Sequence, residues 1–166
     1  MPDITISLVE TEAQIDAVRD LCRQWPEWLI ETFPENEKNI RSKFYSGAYA
    51  DTLTALPKVH ARPKGAMFLA TLDAVPAGCV MYREKGPGQA EFNRMFVATF
   101  ARGHRLGERL MDAMLAQMKA DGYEQAFFNS ARFLTHAQKM YEALGFRELP
   151  LPPGAPTHEY EMIKDI

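Results

Sequence analysis

Between residues 106 and 120 the apolar side chains Leu106, Leu110, Met111, Met114, Leu115 and Met118 recur with a period near 3.6, and Gly122 follows where such a helix must stop. Its neighbours constrain the fold more than the helix does. Ala90 to Ala98 before it and Gln125 to Asn129 after it both read as strands. Strand, amphipathic helix and strand in succession make a βαβ unit, whose two strands run parallel in one sheet.

The other elements fall around that unit. Residues 4–9 alternate apolar and polar side chains, a strand pattern. Thr11 and Gln14 have capping-box spacing, opening a helix with the stripe Ile15, Val18, Leu21, Cys22 and Trp25, which Pro26 is expected to end. A second helix covers Glu35 to Tyr45, and residues 46–65, with Gly47, Pro57, Pro63 and Gly65, read as a long loop. Strands at 66–72 and 77–83 flank a turn at 73–76. After the βαβ unit come a helix from Thr135 to Leu144 closed by Gly145, a strand from Phe146, a proline-rich loop and a strand at 157–166. The order β-α-α-β-β-β-α-β-α-β-β describes an α/β (α+β) domain built on a mixed, mostly antiparallel central sheet flanked by helices.

A chain of 166 residues buries about 70% of its unfolded surface, which suits one domain over residues 1–166. With 19 basic and 22 acidic residues the net charge is −3, so nucleic acid and anionic membrane are disfavoured as partners. Cys22 and Cys79 make no disulfide framework, and the four histidines have no metal-ligand spacing. No apolar run approaches the ~20 residues that span a bilayer, and residues 1–20 lack a signal-peptide core. A cytoplasmic protein, monomeric or homodimeric and without metal, is the expectation.

Chemistry concentrates where the third middle strand meets the long helix. Residues 102–109 read Arg-Gly-His-Arg-Leu-Gly-Glu-Arg. Glycines let a backbone approach a ligand, a helix N-terminus offers unpaired N–H groups, and the basic cluster reverses the chain's net sign. The pattern suits a polyphosphate. It is neither a P-loop, which needs Gly-Lys-Ser/Thr, nor a Rossmann fingerprint.

The segment Glu91-Phe92-Asn93-Arg94-Met95-Phe96-Val97 followed by Arg102-Gly103-His104-Arg105-Leu106-Gly107 resembles the signature of the GNAT superfamily of acyl-CoA-dependent N-acetyltransferases, Gln/Arg-x-x-Gly-x-Gly/Ala. Residues 137–146, with Tyr141, Gly145 and Phe146, resemble that family's second signature, and the resemblance, closest to its small bacterial single-domain members, covers almost the whole chain. There are three departures: Arg105 stands at a family glycine, Leu134 where Asn is frequent, and Asn93 where Lys is usual. A left-handed backbone at Arg105 would be strained; a right-handed one would free the guanidinium for a phosphate.

The resemblance implies acetyl-CoA as acyl donor and a small-molecule or peptide amine as acceptor. Arg102, Gly103, His104, Arg105, Leu106 and Gly107 would hold the pyrophosphate through main-chain N–H groups. The backbone of Met95, Phe96 and Val97 would pair with the pantetheine arm, the Phe96 side chain facing the core. Tyr141 matches the family's general acid. Glu91 is the candidate base, placed by alternation on the face of Met95 and Val97, with an ion pair to an arginine such as Arg94 as its structural alternative. Trp28 and Phe33 are candidate acceptor-wall residues, and His60 and His158, in segments without a clear period, are candidates to line a substrate pocket. A catalytically silent acyl-CoA-binding or sensor protein of the same fold is the competing function.

Overall fold

A computed structural model describes residues 1–166. The elements run β1 (Ile4–Leu8), α1 (Glu12–Thr32), a 3-10 turn at Pro34–Asn36, α2 (Glu37–Phe44), α3 (Ala48–Val59), β2 (Ala66–Leu72), β3 (Val75–Gly86), β4 (Gln89–Val97), a 3-10 turn at Thr99–Ala101, α4 (Leu106–Ala120), β5 (Gln125–Ala131), α5 (Thr135–Ala143), β6 (Arg147–Glu148) and β7 (Glu159–Asp165). The strands form one sheet in the order β1-β2-β3-β4-β5-β7-β6. Only β4 and β5 pair in parallel, as the βαβ pattern requires. Helices α4 and α5 cover one face, where Leu106, Leu110, Met111, Met114 and Tyr141 pack on Phe92, Phe128 and Tyr160. On the other face α1 and α3 bring Val18, Leu21, Leu53 and Leu56 against Met67, Leu69, Cys79 and Met81. Burial on both faces explains why β2 is buried at almost every position instead of alternating.

Two expectations about helices are corrected. The capping box forms, with Gln14 N donating to Thr11 Oγ1 at 3.2 Å and Thr11 N donating to Gln14 Oε1 at 3.1 Å. The helix it opens, however, does not end at Pro26; it continues to Thr32 with the proline inside. Residues 46–65 are not a long loop but contain α3, with Pro57 in its last turn. An internal proline donates no N–H to the carbonyl four residues back. The two carbonyls so released are each taken by a side chain of the other helix. Tyr49 Oη of α3 donates to the Cys22 carbonyl at 2.8 Å, and Arg19 Nε of α1 donates to the Leu53 carbonyl at 3.0 Å. The sequence pattern of a breaker therefore becomes a reciprocal clamp between the two helices.

The β2–β3 turn needs only Asp73 and Ala74, both at positive φ (49° and 66°), rather than the four residues expected. A second irregularity matters more for the site. Cys79 pairs with Phe96 and Met81 with Asn93, so one residue of β3 opposes both Arg94 and Met95 of β4. Arg94 sits in the left-handed region at φ 55°. This β-bulge inverts the side-chain alternation partway along β4.

Candidate active site

The β4–β5 ladder consists of Gln89–Gln125, Ala90–Ala126 and Glu91–Phe127. Beyond Glu91 and Phe127 the strands part, which leaves the β4 edge from Phe92 to Val97 without a strand partner on that side. The second half of α1 spans the gap on one face. Trp28 contacts Phe96 on the β4 side, with ring centroids 6.4 Å apart, and Phe33 contacts Phe133 just past β5 at 4.9 Å. Trp28 and Phe33 also meet each other edge to face at 5.9 Å. They brace the parted strands and do not line the cavity described next.

That cavity has a volume of about 400 Å³ and lies where the strands diverge. Trp25, Phe44 and Tyr49 wall it from the α1–α3 side, Asn93, Arg94 and Met95 come from the bulge, and Phe92, Phe128 and Tyr141 from the opposite face. The gap in the sheet thus joins its two faces in one chamber. The Tyr141 ring packs against Phe128 at 4.2 Å, and burial holds its phenol above the usual tyrosine range, so it stays protonated at neutral pH.

At the end of the gap stands α4. None of the backbone N–H groups from Gly103 to Glu108 has a backbone partner, and no side chain caps the helix. Gly103 turns the chain at φ 91°, and a Cβ at Gly107 would lie 3.0 Å from the end of Met95 and 3.3 Å from the sulfur of Met140. The second glycine therefore seats the helix start close against β4. The nearby cations are largely engaged elsewhere. The Arg102 guanidinium lies 4.1 Å from the centre of the Trp28 ring and donates from Nε to the Val97 carbonyl at 3.2 Å. Arg105 adopts the left-handed conformation, φ 57° and ψ 29°, and pairs in solvent with Glu108 of its own first turn. The strained alternative is the one realised, at a cost of roughly 1–2 kcal/mol.

Bulge geometry also corrects the position of Glu91. Met95 and Val97 face α4 together with Phe92, so Glu91, adjacent to Phe92, faces the other way. Its carboxylate pairs with Arg83 at 3.4 Å and Lys85 at 3.7 Å, not with Arg94, and touches the cavity only through Asn93, whose Nδ2 lies 3.4 Å away. The carboxylate that lines the chamber is Glu159 of β7. Phe96 is a core residue on the α1 face, as the sequence suggests. His60 is also core rather than pocket: its Nδ1 bonds the Tyr82 carbonyl at 2.9 Å, and burial pulls its pKa down to about 4. His158 is exposed beside Glu159. Arg94, Tyr49 and Glu159 were not singled out from sequence as site residues. No glycine marks the bulge, and the proline in α3 disguises the helix that carries Tyr49.

A family model described as the acetyltransferase (GNAT) family matches residues 16–146. The chain belongs to the GNAT acetyltransferase family. No curated protein matches its sequence. Solved structures of the same fold include the PaiA N-acetyltransferase of Thermoplasma acidophilum in complex with coenzyme A, 16% identical with a TM-score of 0.76 and 99% of each chain covered. A GNAT-family acetyltransferase of Staphylococcus aureus Mu50 is 17% identical with a TM-score of 0.75, covering 98% of this chain and 99% of the other. The ribosomal-protein-S18-alanine N-acetyltransferase of Escherichia coli is 18% identical with a TM-score of 0.67, covering 99% and 94%. Within this GNAT domain no helix is long and apolar enough to cross a membrane.

Proposed function

We propose that the protein is an acetyl-CoA-dependent N-acetyltransferase acting on a primary amine of a small molecule or peptide. The observation that carries this reading is the run of unpartnered N–H groups from Gly103 to Glu108, set at the end of a β4 edge that β5 has released. That pairing of features fits a long ligand with an anionic head and an amide-containing arm. The free N–H groups and the positive end of α4 would hold a pyrophosphate, and the β4 backbone from Met95 to Val97 would pair with the arm as an added strand. The GNAT structure that carries coenzyme A supports the same ligand class. Acetyl-CoA, when bound, supplies an acetyl group activated as a thioester.

The chain's own groups divide the remaining work. Tyr141 Oη, kept protonated by burial, holds the proton that a departing thiolate needs. Backbone N–H groups of the bulge, where Arg94 and Met95 stand outside the regular ladder, are the donors for charge developing on a carbonyl oxygen. Glu159 is the carboxylate available to take the proton of an ammonium entering the chamber, and Glu91 serves as an ion-pair partner on the sheet face. Trp25, Phe44 and Tyr49 exclude water around the amine.

The test is a thermal-shift titration with coenzyme A and acetyl-CoA, followed by thiol release in an amine screen. At 100 Kd a ligand adds about 2.7 kcal/mol, or roughly 5–10 °C for a domain of this size. No shift with either ligand would refute the cofactor assignment. A shift with no thiol release from any amine would leave the sensor reading in place of the enzyme.

A further inference from the structure

The proposed acetyl transfer uses the backbone of Arg94 but not its side chain. It lines the cavity, its Nε is buried and has no hydrogen-bond partner, and no carboxylate lies within ion-pair distance of it. Its remaining contacts are weak: Nη1 to Asn93 Oδ1 at 3.5 Å, and the Tyr49 ring centroid at 6.0 Å. Arg94 is half-buried, and the part of its guanidinium withdrawn from water has no anion beside it, which is costly; it is also held on a backbone strained at φ 55°. Replacing the arginine by glycine would relieve both costs, so its presence at this position points to an anion that arrives with a ligand.

The chamber narrows which anion. Its charged walls are Arg94, Lys43 and Glu159, and of these Lys43 is on the exposed rim. One half-buried cation with a flat, forked set of donors matches a carboxylate, which it grips by two parallel bonds; a phosphate dianion calls for more positive charge at depth than the cavity has. A volume near 400 Å³ is at the small end of ligand sites and accommodates a molecule of amino-acid size. Glu159 supplies the complementary negative wall for an ammonium or amine. We infer that Arg94 is an acceptor-binding residue for a carboxylate, and that the acceptor is a free amino acid rather than a peptide or a simple amine. This rests on the N-acetyltransferase reading above and names its substrate class.

The experiment uses the coenzyme A-loaded protein and titrates N-acetylated forms of the twenty common amino acids against the matched N-acetyl amides by calorimetry. Binding of these products does not depend on turnover, so the result stands apart from the thiol-release screen that tests the enzyme reading. At least one acid should bind about 10- to 100-fold more tightly than its amide, the range for a charge-assisted bond at a buried site. Arg94→Gln should abolish that ratio by weakening the acid alone, and Arg94→Lys should recover only part of it. Equal binding of acids and amides, binding of neither, or a preference that survives Arg94→Gln would overturn the proposal. If Arg94→Gln does not fold, the acid–amide ratio in the wild type and in Arg94→Lys still decides. A parallel arm compares succinyl-CoA with acetyl-CoA in the wild type and Arg94→Gln. A tenfold preference for succinyl-CoA that disappears in Arg94→Gln would place the carboxylate on the acyl chain and overturn the assignment to the acceptor.

Discussion

Replacing Tyr141 by Phe separates catalysis from packing unusually well in this protein. The ring is 5% exposed and wedged between Phe128 at 4.2 Å, Phe92 at 5.8 Å and Phe146 at 6.1 Å, all of which a phenylalanine keeps. The residue is buried, but its hydroxyl opens on the chamber and makes no hydrogen bond to protein. Deleting it should therefore change stability by less than about 1 kcal/mol, because no protein hydrogen bond is lost and the packed ring is kept. Activity should behave oppositely. Loss of a positioned general acid typically costs 10²- to 10⁴-fold, so kcat should fall by at least about 100-fold with coenzyme A affinity retained. The pH dependence gives a second reading. A phenol raised above its reference value of about 10 stays protonated through the usual assay range, so no alkaline fall in kcat below pH 10 should trace to Tyr141. The same shift favours the folded state at all pH values below about 10 and loses that contribution only as pH rises further. Steady-state kinetics from pH 6 to 10, with urea melts of both proteins, measure each quantity. A kcat loss under tenfold, or a loss matched by several kcal/mol of destabilisation, would refute the assignment of the acid.

Further expectations follow from the same contacts. Tyr49→Phe should cost about 1–3 kcal/mol by stranding the Cys22 carbonyl, but much less in a Pro26→Ala background, where residue 26 regains the N–H; equal costs in the two backgrounds by urea melts would dismiss the clamp. His60 is held neutral to about pH 4, so its contribution, roughly 2–3 kcal/mol, is complete above pH 6.5 and lost as pH falls toward 4; a His60→Asn variant with an unchanged stability–pH slope over that window would contradict this. Glu91→Gln should leave kcat/KM within about threefold, whereas Glu159→Gln should lower it tenfold or more below neutral pH, and the reverse order would return the base role to Glu91. Arg105→Gly should relieve the left-handed strain while losing only the exposed contact with Glu108, so thermal stability should rise slightly or stay level; a clear fall would show that the side chain stabilises the cradle.

What could be read from the residues was local and periodic. The helix at 106–120 coincides with its apolar period, β2 begins and ends at the expected residues, and the glycines at 122 and 145 stop their helices at positive φ. The family signatures pointed to the parted strands and the bare helix start for the same reason: both depend on residues close together in sequence. The misreadings came from long-range compensation. Pro26 and Pro57 are helix breakers until a donor from 27 or 34 residues away takes the carbonyl each one frees, and no local pattern contains that partner. Strict alternation carried through residue 94 puts Glu91 on the wrong face, because nothing in the side-chain types signals an extra residue there. Arg94 reads as an ion-pair partner of Glu91 for the same reason.

The bulge in β4 has a consequence for how this site can change. It acts as an edge dislocation does in a crystal: the two halves of the strand are each regular but out of phase, and no small displacement brings them back into step. Substitutions on either side adjust the chamber without moving the defect. Smoothing the strand with all its residues kept would turn either Phe92 or both Met95 and Val97 away from the α4 core they now fill, whereas deleting residue 94 would heal the ladder and leave all three in place. The chamber's wall and the packing beneath α4 are thus phased by one residue, and neither can be re-registered alone.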